Sequence, residues 1–122
     1  MQSKHRKQMS PTEILFTETL VHAIDGWDFT NDHMLTRMAQ KGVSKKDAAI
    51  TLKWGEVIRV QDDGRVLLRL MTGLRKGVCV VASLRDKRLV TAWYNHPKDN
   101  HKTLDMSEYT WRVDVVAYLR GL

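Results

Sequence analysis

From Glu56 onward the apolar residues recur with a period of two, and polar or glycine-containing turns interrupt them at short intervals. That pattern restricts the chain to a meander of antiparallel strands. EVIRVQ leads into Asp62-Asp63-Gly64, a strong hairpin signal, and RVLLRLMT follows it. The strand places Arg65, Leu67, Arg69 and Met71 on one face and Val66, Leu68 and Leu70 on the other. After Gly73-Leu74-Arg75-Lys76-Gly77 comes VCVVASL, apolar almost throughout, as expected of a central strand covered on both faces. Beyond the charged turn Arg85-Asp86-Lys87-Arg88, LVTAWYN reads as the fourth strand. Simple alternation puts Leu89, Thr91 and Trp93 on one face and Val90, Ala92 and Tyr94 on the other.

The same segment carries the electrostatic bias. Arg65 to Arg88 hold seven basic residues against one acid, a net +6, which equals the formal charge of the whole chain. Basic residues and acids cancel elsewhere. A basic excess confined to one sheet segment is the footprint expected of a polyanion-binding face. On charge alone it reads equally well as solvated strand edges and turns.

The region before the sheet reads as helical. Residues 1–9 are polar, basic and without periodicity, as in a flexible arm. Ser10-Pro11-Thr12-Glu13 is a capping box with proline at the first helical position, predicting a helix from Pro11 to about Ala23. Its apolar positions wrap widely, which calls for packing on two sides or against a protein partner. Thr30 caps a second predicted helix, Asn31 to Lys41, stopped by Gly42. Val43-Ser44-Lys45-Lys46-Asp47 opens a third, ending at Gly55. A last helix is expected from about Ser107 to Arg120. The fold class is therefore α+β: N-terminal helices packed on a four-stranded antiparallel sheet, with a C-terminal helix. At 122 residues, residues 10–122 form one domain.

Several function classes drop out. No run of about 18 apolar residues is present, and Glu13, Glu18 and Asp25 interrupt any signal-peptide core. The single cysteine, Cys79, lies in an apolar strand, where it reads as a buried hydrophobe, a poor nucleophile and a sign of a reducing cytoplasm. Phosphate-loop, dinucleotide and zinc motifs are missing, and the polar loop with His96, Asp99, His101 and Asp105 fits no compact metal site. Neither a metal nor a cofactor is expected. One pair has the types needed for acid–base chemistry on phosphate. His33 and Arg37, four residues apart, share a helix face; histidine can move a proton near neutral pH, and arginine can hold developing phosphate charge. On spacing alone they also read as an exposed polar pair.

His33-Met34-Leu35-Thr36-Arg37-Met38, Gly42-Val43-Ser44, Gly55-Glu56-Val57-Ile58 and Val90-Thr91-Ala92-Trp93-Tyr94 together resemble the short RelE-like domains of unknown function found in phage and toxin-associated proteins. These belong to the ribonuclease-toxin superfamily that groups barnase, EndoU, colicin-type tRNA nucleases and RelE-like toxins. The likeness covers about residues 30 to 96. It implies metal-independent cleavage of RNA, tRNA among the candidates, by attack of a 2′-hydroxyl on the neighbouring phosphorus. Carried onto this chain, His33 is the acid–base candidate and Arg37 the phosphate clamp, with Thr91 and His101 completing the catalytic set. Arg69, Arg75, Lys76, Arg85, Lys87, Arg88, Trp93, Tyr94 and Asn95 are the expected RNA contacts. The alternative implied by the same resemblance is a non-catalytic binding module, for example a phage-encoded inhibitor of a host or defence protein. An antidote or other protein partner would then dock through the first helix.

Overall fold

A computed structural model describes residues 2–29, 42–71, 77–95 and 109–122. Within them lie β1 (Ser3–His5), α1 (Pro11–Ala23), α2 (Lys45–Trp54), β2 (Glu56–Gln61), β3 (Arg65–Met71), β4 (Gly77–Ser83), β5 (Arg88–Asn95) and α3 (Val115–Arg120). The strands form one antiparallel sheet in sequence order, β1-β2-β3-β4-β5. The predicted meander is therefore present, with five strands among the described residues in place of four.

The added strand corrects the reading of residues 1–9 as a flexible arm. Ser3, Lys4 and His5 pair with Gln61, Val60 and Arg59, and Arg6–Gln8 form a single 3-10 turn capped by His5. Three residues are too few to show a period. Their polar side chains are taken up by distant parts of the chain instead. Lys4 Nζ donates to Glu13 of α1 at 2.7 Å and to the Val113 carbonyl at 3.2 Å. Arg6 donates to the Val57 carbonyl at 2.8 Å, and Gln8 to the Tyr109 carbonyl at 2.7 Å. The His5 ring meets that of Tyr109 edge to face, 5.3 Å between centroids.

The helices α1, α2 and α3 share one face of the sheet. Val21, Ala48, Leu52, Val115 and Leu119 join Val57, Val60, Val66, Leu68, Val78, Val80, Ala82, Leu89 and Ala92 in the main core. The wide apolar wrap of α1 is explained by two-sided packing: α1 touches α2, α3 and β2. Its innermost stripe is Glu13, Thr17 and Val21, while Leu15 is left 69% exposed. The C-terminal helix is shorter than expected. Asp114 caps it through Oδ1, which accepts from Val116 N at 3.0 Å, and Tyr109 and Trp111 are buried in irregular chain ahead of it. Asp28, after α1, forms a short parallel bridge to Arg88 and so clips the outer edge of β5.

Two bulges change which residues share a face. In β2 the register slips between Val57 and Arg59, and in β5 between Leu89 and Thr91. Both slips abut the same central pair, Leu67 opposite Val81. Leu89 consequently joins the helix-side core and Val90 the opposite face, the reverse of simple alternation. No helix of the described residues is long and apolar enough to cross a membrane.

Candidate nucleic-acid interface

The sheet face turned away from the helices has its own small core of Ile58, Leu67, Cys79 and Val81, with Val90 and Trp93 packed against it. Register resolves this face into three cross-strand rows. Arg59, Leu67, Val81 and Thr91 form the first, and Glu56, Arg69, Cys79 and Trp93 the second. The third runs Arg65, Ser83, Arg88. Four arginines, one carboxylate and one large aromatic ring are thus arrayed around an apolar centre. Arginine beside an aromatic ring suits a single-stranded polyanion, because guanidinium groups fork onto phosphate and rings stack on bases.

The arginines are not equivalent. Arg69 is held by Glu56 directly across the strands, with Nε at 3.2 Å and Nη2 at 2.7 Å from one carboxylate oxygen. That grip fixes its fork and leaves donors to spare. Arg65 Nε lies 3.2 Å from Asp63, whereas Arg88 reaches Asp86 only at 3.8 Å. Arg59 takes part in none of the ion pairs formed among the described residues. Arg59 Nε, Arg88 Nε and Thr91 Oγ1 are buried, and none has a hydrogen-bond partner among the described residues. All three can donate, and buried donors of this kind call for an acceptor. Arg59 and Thr91 stand three strands apart in one row, roughly 14 Å by ordinary strand spacing. They cannot share a phosphate and would contact separate parts of a chain.

Of the expected site residues, Arg69, Arg88, Thr91 and Trp93 come together on this face. Asn95 ends β5 opposite Gly77. Arg85 and Lys87 do not join them. Arg85 lies near Tyr118 of α3, where its charge acts against the burial that raises the phenol's pKa, and Lys87, at φ 52°, borders a cleft with Leu20, Ile24 and Leu119 on the helix side. Tyr94 also belongs to the helix side, where its hydroxyl donates to Asp47 of α2 at 2.8 Å. That hydrogen bond, with burial and the Asp47 charge, holds the phenol above its ordinary pKa. His33, Arg37, Arg75, Lys76 and His101 lie outside the described residues. Arg59 is the residue that sequence reasoning missed. Alternation along EVIRVQ pairs it with Val57, on the helix side, and only the bulge moves it across. A signal was present all the same: Val57-Ile58 put two apolar residues side by side where a one-sided strand would alternate.

No protein-family model matches this chain, and no curated protein or solved structure matches it.

Proposed function

We propose that this chain is a small, metal-independent ribonuclease-type domain that receives single-stranded RNA on the sheet face opposite its helices. The observation that carries the reading is the set of three buried donors with no acceptor among the described residues, Arg59 Nε, Arg88 Nε and Thr91 Oγ1, on a face already lined by Arg65, Arg69 and Trp93. Phosphates would occupy the arginine forks, and a base would stack on Trp93. The meander and the Thr91-to-Trp93 strand agree with the order of elements in the RelE-like resemblance. His33 would deprotonate the attacking 2′-hydroxyl while Arg37 stabilises the charge developing on phosphorus.

The test has two parts. The Arg59→Ala, Arg88→Ala double variant should lose about 100-fold in affinity for single-stranded RNA, tenfold per arginine, with a shallower salt dependence. Unchanged affinity in the folded variant would remove the sheet face from the proposal. Wild type should cleave RNA in the presence of EDTA, and His33→Ala should lose about 10²–10⁴-fold in rate. Cleavage unaffected by His33→Ala would overturn the assigned roles.

A non-catalytic module bound to a protein is the second reading. It is favoured by the exposed apolar side chains Leu15 and Trp54, 69% and 66% accessible. A stoichiometric protein complex without RNA cleavage would decide for it.

A further inference from the structure

A cavity of about 300 Å³ lies on the helix side, between the end of α1 and the outer face of α2. It opens away from the arginine-bearing sheet face and shares none of its residues. Lys45, Ala49 and Lys53 recur at four-residue intervals and form one wall, since such positions stack along a helix. Trp27 and Phe29, half-buried and packed on the main core, form the other. Lys45 Nζ stands 5.3 Å from the centre of the Phe29 ring. Asp25 and Gly26 close one end, where Gly26, at φ +75°, leaves open space around the position a Cβ would take.

The composition of this cavity is unlike that of a packing defect. A void in a core is lined by aliphatic carbon and stays dry. Here two aromatic rings and two lysine side chains line the wall beside one carboxylate; Lys45 Nζ stands over Phe29, and Lys53 Nζ lies 6.0 Å from the centre of the Trp54 ring. The rings offer faces to a planar heterocycle. The lysines supply a net positive charge for an anionic group, and Asp25 can accept from an amine or a sugar hydroxyl. The volume is at the small end for ligand pockets and matches one nucleotide better than a larger cofactor.

We propose that this cavity binds a single nucleotide, with the base against Trp27 and Phe29 and the phosphate on Lys45 and Lys53. The ligand is either a free nucleoside monophosphate or the terminal nucleotide of an RNA strand; the chemistry is the same for both. The site does not depend on the sheet-face reading.

Isothermal titration of the full chain tests it. The titrants are the four nucleoside 5′-monophosphates, the matching nucleosides, inorganic phosphate, and a pentanucleotide with a 5′-phosphate. At least one monophosphate should bind saturably, and its nucleoside and inorganic phosphate should each bind at least about tenfold more weakly, because each keeps only half of the contacts. Binding of the pentanucleotide and not of monophosphates, retained in the Arg59→Ala, Arg88→Ala variant, would identify a strand end as the ligand. Lys45→Ala and Lys53→Ala, at exposed positions, should each weaken binding about tenfold. Ala49→Glu should abolish it by placing a carboxylate in the phosphate's path. The Arg59→Ala, Arg88→Ala variant should leave monophosphate binding unchanged, which separates this site from the sheet face. Absence of saturable binding by every titrant to the Arg59→Ala, Arg88→Ala variant at millimolar concentration would overturn the proposal. So would nucleotide binding that survives Lys53→Ala and Ala49→Glu at full strength.

Discussion

Glu13→Ala is expected to destabilise the fold by about 3–5 kcal/mol, the range for removing one partner of a buried ion pair. One Glu13 oxygen accepts from Lys4 Nζ at 2.7 Å and from the Val115 amide at 3.0 Å, and the other from the Ser10 amide at 2.8 Å. The carboxylate therefore ties β1, the start of α1 and the start of α3 to one point. Truncation leaves a lysine ammonium, 12% accessible in its side chain, with only the Val113 carbonyl at 3.2 Å among the described residues. It also strips the acceptor from two backbone amides. Burial by itself would raise the Glu13 pKa. The hydrogen bonds from Lys4, Ser10 and Val115, with the Lys4 charge, outweigh it and hold the pKa below the ordinary value. Because the folded-state pKa is the lower one, this contribution is fully present above the unfolded value of about 4.3 and fades as pH falls through the folded value. Urea denaturation at neutral pH should show the full loss for Glu13→Ala, and the gap from wild type should narrow in acid. A loss below about 1 kcal/mol at neutral pH, within the range of exposed pairs, would show that the three-way junction contributes little.

Gly55→Ala is expected to cost about 1–3 kcal/mol, as overpacking does in a rigid setting. Gly55 has an ordinary φ of −69°, so its torsion angles suit any residue. The constraint is space. An added Cβ would lie 2.5 Å from the Thr51 carbonyl oxygen, 3.2 Å from Thr51 Cγ2 and 3.3 Å from the Arg69 carbonyl oxygen. Two of those neighbours are backbone. The Thr51 carbonyl is held close because it accepts from Gly55 N at 2.7 Å, and His22 Nε2 lies 2.8 Å from the Gly55 carbonyl oxygen. Relief of the clash requires α2 to move from β3, and the His22 contact with it. Differential scanning calorimetry should show a melting temperature lower by roughly 4 °C per kcal/mol lost. A variant as stable as wild type would mean that the helix end can shift freely.

The features legible in the sequence are those that local chemistry specifies. Ser10 and Ser44 cap their helices as their neighbours require, and Asp62-Asp63-Gly64 makes the turn its composition demands. Gly55 ends α2 where the pattern stops. Features set by distant partners were not legible. The strand Ser3–His5 exists because β2 offers an edge and Glu13 a counter-charge, neither of which a three-residue segment can announce. The bulges at Ile58 and Val90 are invisible to alternation, which assumes that they do not occur, and they decide the makeup of the candidate site. Arg59 reaches the basic face through one bulge, while Val90 takes the place there that alternation gives to Leu89. Arg85 and Lys87 illustrate the converse. Charge along the chain grouped them with Arg69 and Arg88, but turn geometry carries them to the helix side.

The position of β1 sets an order of events for the folding chain. Each of the hairpins β2–β3, β3–β4 and β4–β5 joins neighbours in sequence, whereas Ser3–His5 must find Arg59–Gln61 across more than fifty residues. Closing so long a loop comes at a cost in chain entropy that three residue pairs recover only once Lys4 meets Glu13. Ser3–His5 are therefore among the last of the sheet residues to settle. Until β2 is in place, β1 has no edge to join, and in the finished sheet it should be the first strand to open. Native-state hydrogen exchange should find the β1–β2 amides less protected than those between β3 and β4, and equal protection would contradict this order.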